Sequence, residues 1–188
     1  MTEDFDKRIL VVLDRNYLNN RSEEEYNNIQ NIVNTVFGEE YKVEFDVFWS
    51  FLDEFCYDMN VDNMLSSVDK KCNRLLIDDY TCVIVEGVAA WFYLHSMYDI
   101  PMVCINPTID LVEEFSDYMS DEDIYSADYA FESRPINTEW SWCMFNNGND
   151  EYDDIFYNSH SKESVDDITD YDFWITIYEM VGQMDNLI

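Results

Sequence analysis

Apolar positions along this chain follow two rhythms, one of strands and one of helices. Ile9-Leu10-Val11-Val12-Leu13 is a short continuous apolar run, the pattern of a strand buried on both faces of a parallel sheet. A polar loop follows, from Asp14 to Arg21. Ser22-Glu23-Glu24-Glu25 then forms a capping box, opening a helix with Ile29, Ile32, Val33 and Val36 on one face. Gly38 ends that helix. Val43 to Phe48 predicts a second strand. Val61, Met64, Leu65, Val68, Cys72 and Leu75 recur at helical spacing and predict a second long helix.

From Thr81 to Pro107 the chain reads as strand, tight turn, helix, strand. The first strand is Cys82-Val83-Ile84-Val85, the turn is Glu86-Gly87, and the helix is Val88 to Tyr98. The second strand, Met102-Val103-Cys104-Ile105, ends at Asn106-Pro107. Beyond it, Leu111 to Met119 has helical spacing, and Tyr125 to Pro135 fits neither rhythm cleanly. Trp140 to Phe145 is apolar enough for a last strand, and Phe173 to Met184 reads as a final helix. The alternation predicts an α/β fold: a mostly parallel sheet with helices on both faces. At 188 residues the chain forms one compact domain, residues 1–188, with no repeat and no Gly/Ser linker.

Charge changes the picture. The chain carries 41 acids against 10 bases, a formal net charge of −31. Its 47% hydrophobic and 16% aromatic residues argue against global disorder. Burial of those residues must overcome the self-repulsion. Direct binding to nucleic acid or to an anionic membrane is excluded, and basic surfaces are the natural partners. The charge is also one-sided. Eight of the ten bases precede Leu75, whereas Asp110 to Asp172 holds nineteen acids and two bases, Arg134 and Lys162.

Five cysteines (Cys56, Cys72, Cys82, Cys104 and Cys143) form no CxxC pair and lie at no zinc spacing from a histidine. Buried, reduced thiols are expected, as in a reducing compartment. The start, Met1-Thr2-Glu3-Asp4, is acidic rather than basic and apolar. No apolar run approaches the ~20 residues that span a bilayer. These features predict a cytoplasmic protein.

The turn at Glu86-Gly87 occupies the place where an α/β hydrolase carries its G-x-S-x-G nucleophile elbow. Downstream come Asn106-Pro107, Glu113, Asp117-Tyr118, Tyr125 and Glu132-Ser133-Arg134, in that order. The sequence resembles the small YqiA-type esterases, a compact branch of the α/β-hydrolase superfamily. The resemblance implies a compact α/β-hydrolase-like fold. It is most specific from Cys82 to Arg134 and faint before residue 40. On the family's pattern, Val85-Glu86-Gly87-Val88-Ala89 replaces the elbow, and Gly87 stands where the nucleophilic serine belongs. Ala89 and Ala90 retain the small residues needed for close packing. Leu13-Asp14-Arg15-Asn16-Tyr17 takes the place of the loop that supplies the oxyanion hole, without its His-Gly. Asp150 matches the triad acid, and Tyr171 falls where the triad histidine belongs.

Glycine cannot attack a carbonyl, and a phenol cannot do the neutral-pH base work of an imidazole. The resemblance therefore implies a hydrolase fold with a degenerate triad (Gly87, Asp150, Tyr171) and no catalytic residue. The only histidines are His95, expected to be structural within its helix, and His160, expected to be exposed and idle on a polar loop. A triad rewired through His160 is the main enzymatic alternative. Nothing in the chain implies a cofactor. Asn146 to Asp154 and Asp121-Glu122-Asp123 offer oxygen ligands but lack the spacing of a calcium loop, so no dedicated metal site is expected.

Acidity raises the question of nucleic-acid mimicry. A folded chain of this mass exposes about 9,500 Å², so its charge averages about one per 300 Å². Duplex DNA carries about one per 100 Å², so mimicry requires the acids to gather on one face. The expectation is a non-catalytic esterase-like protein that binds a basic protein partner, such as a nucleic-acid-binding protein, through an acidic surface. A viral inhibitor of a host factor would behave in this way. Candidate binding residues are Glu86, Glu113, Asp117, Asp121, Glu122, Asp123, Asp153, Asp154, Asp166 and Asp167. Tyr-rich acidic segments, Asp121 to Tyr129 and Tyr152 to Tyr157, suit a recognition surface. Two alternatives remain: a residual or rewired esterase acting on a small ester, and a small-molecule module using a vestigial pocket near Glu86.

Overall fold

A computed structural model describes residues 7–14, 21–47, 61–78, 80–108, 141–145, 158–161 and 168–184, together with Glu122, Tyr125, Tyr129, Arg134 and Ile136. Six strands form one sheet: β1 (Lys7–Leu13), β2 (Tyr41–Val47), β3 (Tyr80–Glu86), β4 (Met102–Ile105), β5 (Ser141–Phe145) and β6 (Asn158–Ser161). Their order is β2-β1-β3-β4-β5-β6, and every neighbouring pair is parallel. Helices α1 (Glu23–Phe37), α2 (Val61–Ile77), α3 (Gly87–Leu94) and α4 (Tyr171–Met184) connect or cover them. This is the α/β architecture expected from the alternation.

Alternate strand positions feed two separate cores, which explains the unbroken apolar runs. Ile9, Val11, Leu13, Cys82 and Ile84 pack beneath α1 and α4. Leu10, Val12, Val83 and Val85 pack beneath α2 and α3. Cys72, Cys82 and Cys104 are buried and form no disulfide. Burial raises the Cys72 thiol to about 12, so it acts as an inert apolar group.

The capping box forms as the sequence implies. Ser22 Oγ accepts from the Glu25 amide at 3.3 Å, and the Ser22 amide donates to Glu25 Oε2 at 2.6 Å. The buried seam of α1 is Tyr26, Ile29, Val33 and Phe37. Ile32 and Val36, expected on that seam, are half-buried at its edge. The large rings draw the seam toward themselves: Phe37, Tyr41 and Tyr178 meet edge to face with centroids 5.3–6.1 Å apart.

Three expectations require correction. The helix after Gly87 stops at Leu94, not Tyr98. Buried Asp69 of α2 accepts the Met97 amide at 3.0 Å, drawing the chain off the helical path. His95 is therefore the C-cap of α3 rather than a mid-helix residue. Trp140 to Phe145 is also not the last strand, because β6 pairs beyond β5. His160, expected on a polar loop, lies in β6 opposite Met144, because Asn158-Ser159-His160-Ser161 pairs through its backbone and has no apolar periodicity to mark it.

The α1/α4 core predicts one large mutational cost. Trp174 is fully buried, and its indole N–H donates to the Ile168 carbonyl at 2.7 Å. Trp174→Ala should lower unfolding free energy by about 3–5 kcal/mol in urea denaturation. A loss below about 1 kcal/mol would mean that α4 does not hold this core.

Candidate functional site

The sheet order places a switch point between β1 and β3. The chain leaves β1 toward β2 on one side and returns as β3 on the other. The C-terminal ends of such neighbouring strands are where open α/β sheets hold ligands. Here those ends are Leu13-Asp14 and Glu86-Gly87.

Gly87 has φ +58°, a left-handed conformation that glycine adopts without steric cost. A Cβ built on Gly87 would lie 2.5 Å from Asp14 Oδ2. The turn thus excludes a side chain both by its backbone and by its neighbour. The Thr108 amide donates to the Gly87 carbonyl at 3.1 Å, tying the segment after β4 to the turn.

Two carboxylates fill the space at the turn. Glu86 is 2% exposed and Asp14 is 4% exposed. Arg21, immediately before the Ser22 cap, grips Glu86 with both ends of its guanidinium, at 2.6 Å to Oε2 and 2.5 Å to Oε1. The Asp14 amide donates to Glu86 Oε2 at 3.1 Å. The Val88 amide donates to Asp14 Oδ2 at 3.1 Å, so Asp14 caps the first turn of α3 from another strand. Tyr26 of α1 donates its hydroxyl to the Asp14 carbonyl at 2.5 Å.

The electrostatics follow from burial. Desolvation pushes the Glu86 carboxyl above its ordinary range, with Arg21 opposing and the Asp14 charge reinforcing the rise. Desolvation would lower Arg21, but the bond and charge of Glu86 outweigh it and hold Arg21 above its usual value. Burial raises the Tyr26 phenol to about 12, so it stays a donor. Two anions face one cation, and the positive N-terminal end of α3 offsets part of the excess.

Of the expected site residues, Glu86, Gly87, Glu122 and Tyr171 lie among the described residues. Glu86 is buried in this network rather than exposed or lining an open pocket. Glu122 is exposed, and Tyr171, at the first position of α4, is 46% exposed. Among the described residues no hydrogen bond joins Tyr171 to the turn. Glu113, Asp117, Asp121, Asp123, Asp150, Asp153, Asp154, Asp166 and Asp167 lie outside the described residues. His95 is fully buried and stacked on Trp91, with centroids 4.1 Å apart, and its Nδ1 lies 2.8 Å from the Trp91 carbonyl. Burial lowers its pKa, favouring a neutral structural imidazole. Arg134, the end of the Glu132-Ser133-Arg134 motif, pairs with Asp69 at 2.8 Å.

Sequence reading did not find Asp14, Arg21, Tyr26 or Asp69. The one available signal was a lone charge at a strand end and another just before a helix cap. Among the described residues no group of three His, Cys, Asp or Glu is placed to hold a metal ion, and no helix is long and apolar enough to cross a membrane. Comparison with family models, curated proteins and solved structures returns no match to this chain.

Two predictions follow from the network. Arg21→Ala leaves two buried carboxylates facing no cation and should cost about 3–5 kcal/mol in urea denaturation. Arg21→Met with Glu86→Leu should cost markedly less, because the penalty lies in the unpaired charge; equal losses would contradict an ion-pair role. The second concerns pH. A raised Glu86 contributes stability that is complete below its unfolded value and lost as pH rises through the folded one. Glu44 behaves oppositely. Burial would raise it, but bonds from Lys42, Tyr80 and Arg8 hold it down at about 2, so its contribution persists above its ordinary value and is lost as acid approaches 2. Stability should rise as pH falls toward the ordinary carboxylate range and fall again as acid protonates Glu44. Glu86→Gln should flatten the neutral side, and thermal melts across pH would check this.

Proposed function

We propose that the protein is a non-catalytic relative of α/β hydrolases that works by binding a basic protein. The observation that carries this reading is the closed turn. In an α/β hydrolase the amide after the nucleophile and an amide from the loop after a neighbouring strand form the oxyanion hole. The corresponding amides here belong to Val88 and Asp14. Both are taken by the chain's own carboxylates, Asp14 and Glu86. An oxyanion would have to displace a buried anion from each. With Gly87 at the nucleophile position, the turn holds neither attacking group nor free donors.

The surface supports binding. On the α1/α4 face, Glu23, Glu24, Glu39, Asp170, Asp172 and Glu179 are exposed. The exposed bases Lys70 and Arg74 lie on α2, across the sheet. Tyr125 and Tyr129 are 77% and 61% exposed and helical, four residues apart and three beyond exposed Glu122. Exposed tyrosines among acids suit arginine-rich surfaces, through cation–π contact as well as charge. A nucleic-acid-binding protein whose phosphate site the acids occupy is the partner class this chemistry favours, and an inhibitor of such a protein would act so.

The immobilised protein should retain a basic partner from lysate at low salt and lose it steeply as salt rises. Tyr125→Ala with Tyr129→Ala should weaken that retention. Neither the native chain nor Gly87→Ser should turn over p-nitrophenyl acetate. Turnover abolished by His160→Ala or Asp150→Ala would establish the rewired esterase instead. Absence of any basic partner at low salt would refute the binding reading.

A further inference from the structure

A second feature lies on the opposite side of the sheet and is independent of the turn. A groove of about 520 Å³ separates the second half of α2 from β2 and reaches the N-terminal ends of β1 and β3. That volume is within the range of small-ligand sites. It arises because α2 packs its apolar seam over β1 and β3. The β2 positions in register with Leu10 and Val12 are polar, Glu44 and Asp46, and form the other wall.

In a chain with ten bases, four line this groove: Arg8, Lys70, Lys71 and Arg74. They divide into two kinds. Arg8 and Lys71 are fixed in place. Arg8 bonds Glu44 at 2.7 Å and lies over the Tyr80 ring at 4.3 Å, and Lys71 pairs with Asp46. Lys70 and Arg74 stand one helical turn apart on α2, both exposed, and pair with no carboxylate among the described residues. Arg74 also lies in the last turn of α2, where the helix favours a cation.

The net charge of −31 would seem to repel any anion. Screening limits that repulsion to about 8 Å at physiological ionic strength, so the groove's own charges decide. Its four cations outnumber Glu44, Asp46 and Asp78, and the surplus is concentrated at Lys70 and Arg74. A ligand with a single anionic group could satisfy only one of these. A guanidinium fork beside an ammonium suits the multiple oxygens of phosphates. We propose that this groove binds a small oligoanion of the polyphosphate type, gripped between Lys70 and Arg74 and backed by Arg8 and Lys71.

Inorganic triphosphate is the probe, titrated calorimetrically into the full chain at about 0.15 M ionic strength. Saturable binding at one site per chain is expected. Lys70→Ala with Arg74→Ala should weaken it at least about tenfold, the loss expected for charge-assisted bonds. Lys7→Ala removes a cation paired with Glu40, neither of which lines the groove, and should leave affinity unchanged. Lys70→Glu alone should abolish binding, a separate readout should the double variant misfold. The proposal is overturned by the absence of saturable heat, by equal weakening in Lys7→Ala, or by citrate binding as tightly as triphosphate.

Discussion

The burial of Glu86 against Arg21 is the constraint on which the centre of this molecule depends. An ionised group withdrawn from water costs several kcal/mol, so the chain must supply a partner for every anion it buries at the switch point. Arg21 meets that demand only if the loop after β1 delivers it to the start of α1. Asp14 meets the amide of Val88 only if α3 starts where it does. Tyr26 then fixes α1 to the end of β1. Strands β1 and β3, the entry to α1 and the entry to α3 are thereby joined by one set of bonds between groups 12 to 74 residues apart.

The amides of Asp14 and Val88, which the proposed function matches to an oxyanion hole, are both satisfied by carboxylates of the chain itself. A second anchor has the same character. Asp69 holds both the Met97 amide and Arg134, so the close of α3 and the Arg134 side chain share one buried carboxylate. Three acids, Asp14, Asp69 and Glu86, are thus buried and bonded within the fold. Glu23, Glu24, Glu39, Asp170, Asp172 and Glu179 are exposed, and under the proposed function they meet the partner.

Much of the fold was legible because its signals are local. The run Ile9 to Leu13, the capping box at Ser22 and the strand–turn–helix around Gly87 each declare themselves within a dozen residues. The left-handed glycine, the helix start beyond it and the parallel pairing of β3 with β4 agree with that reading. The site was not legible, since its bonds join residues such as Arg21 and Glu86, which are 65 apart in sequence. No periodicity encodes such a pair. β6 was missed for a different reason: Asn158 to Ser161 pairs through its backbone, and backbone hydrogen bonding leaves no mark on side-chain pattern. The end of α3 was misplaced because a distant carboxylate, Asp69, rather than a local breaker, terminates it.

The closed turn is most directly tested by amide hydrogen exchange at Asp14 and Val88, measured by NMR on the native chain. Both amides should exchange only through global unfolding, at rates matching Ile84 in the middle of β3 and following stability as denaturant is added. Exchange orders of magnitude faster than Ile84 would mean that the amides are open to solvent and to an oxyanion, contradicting the account.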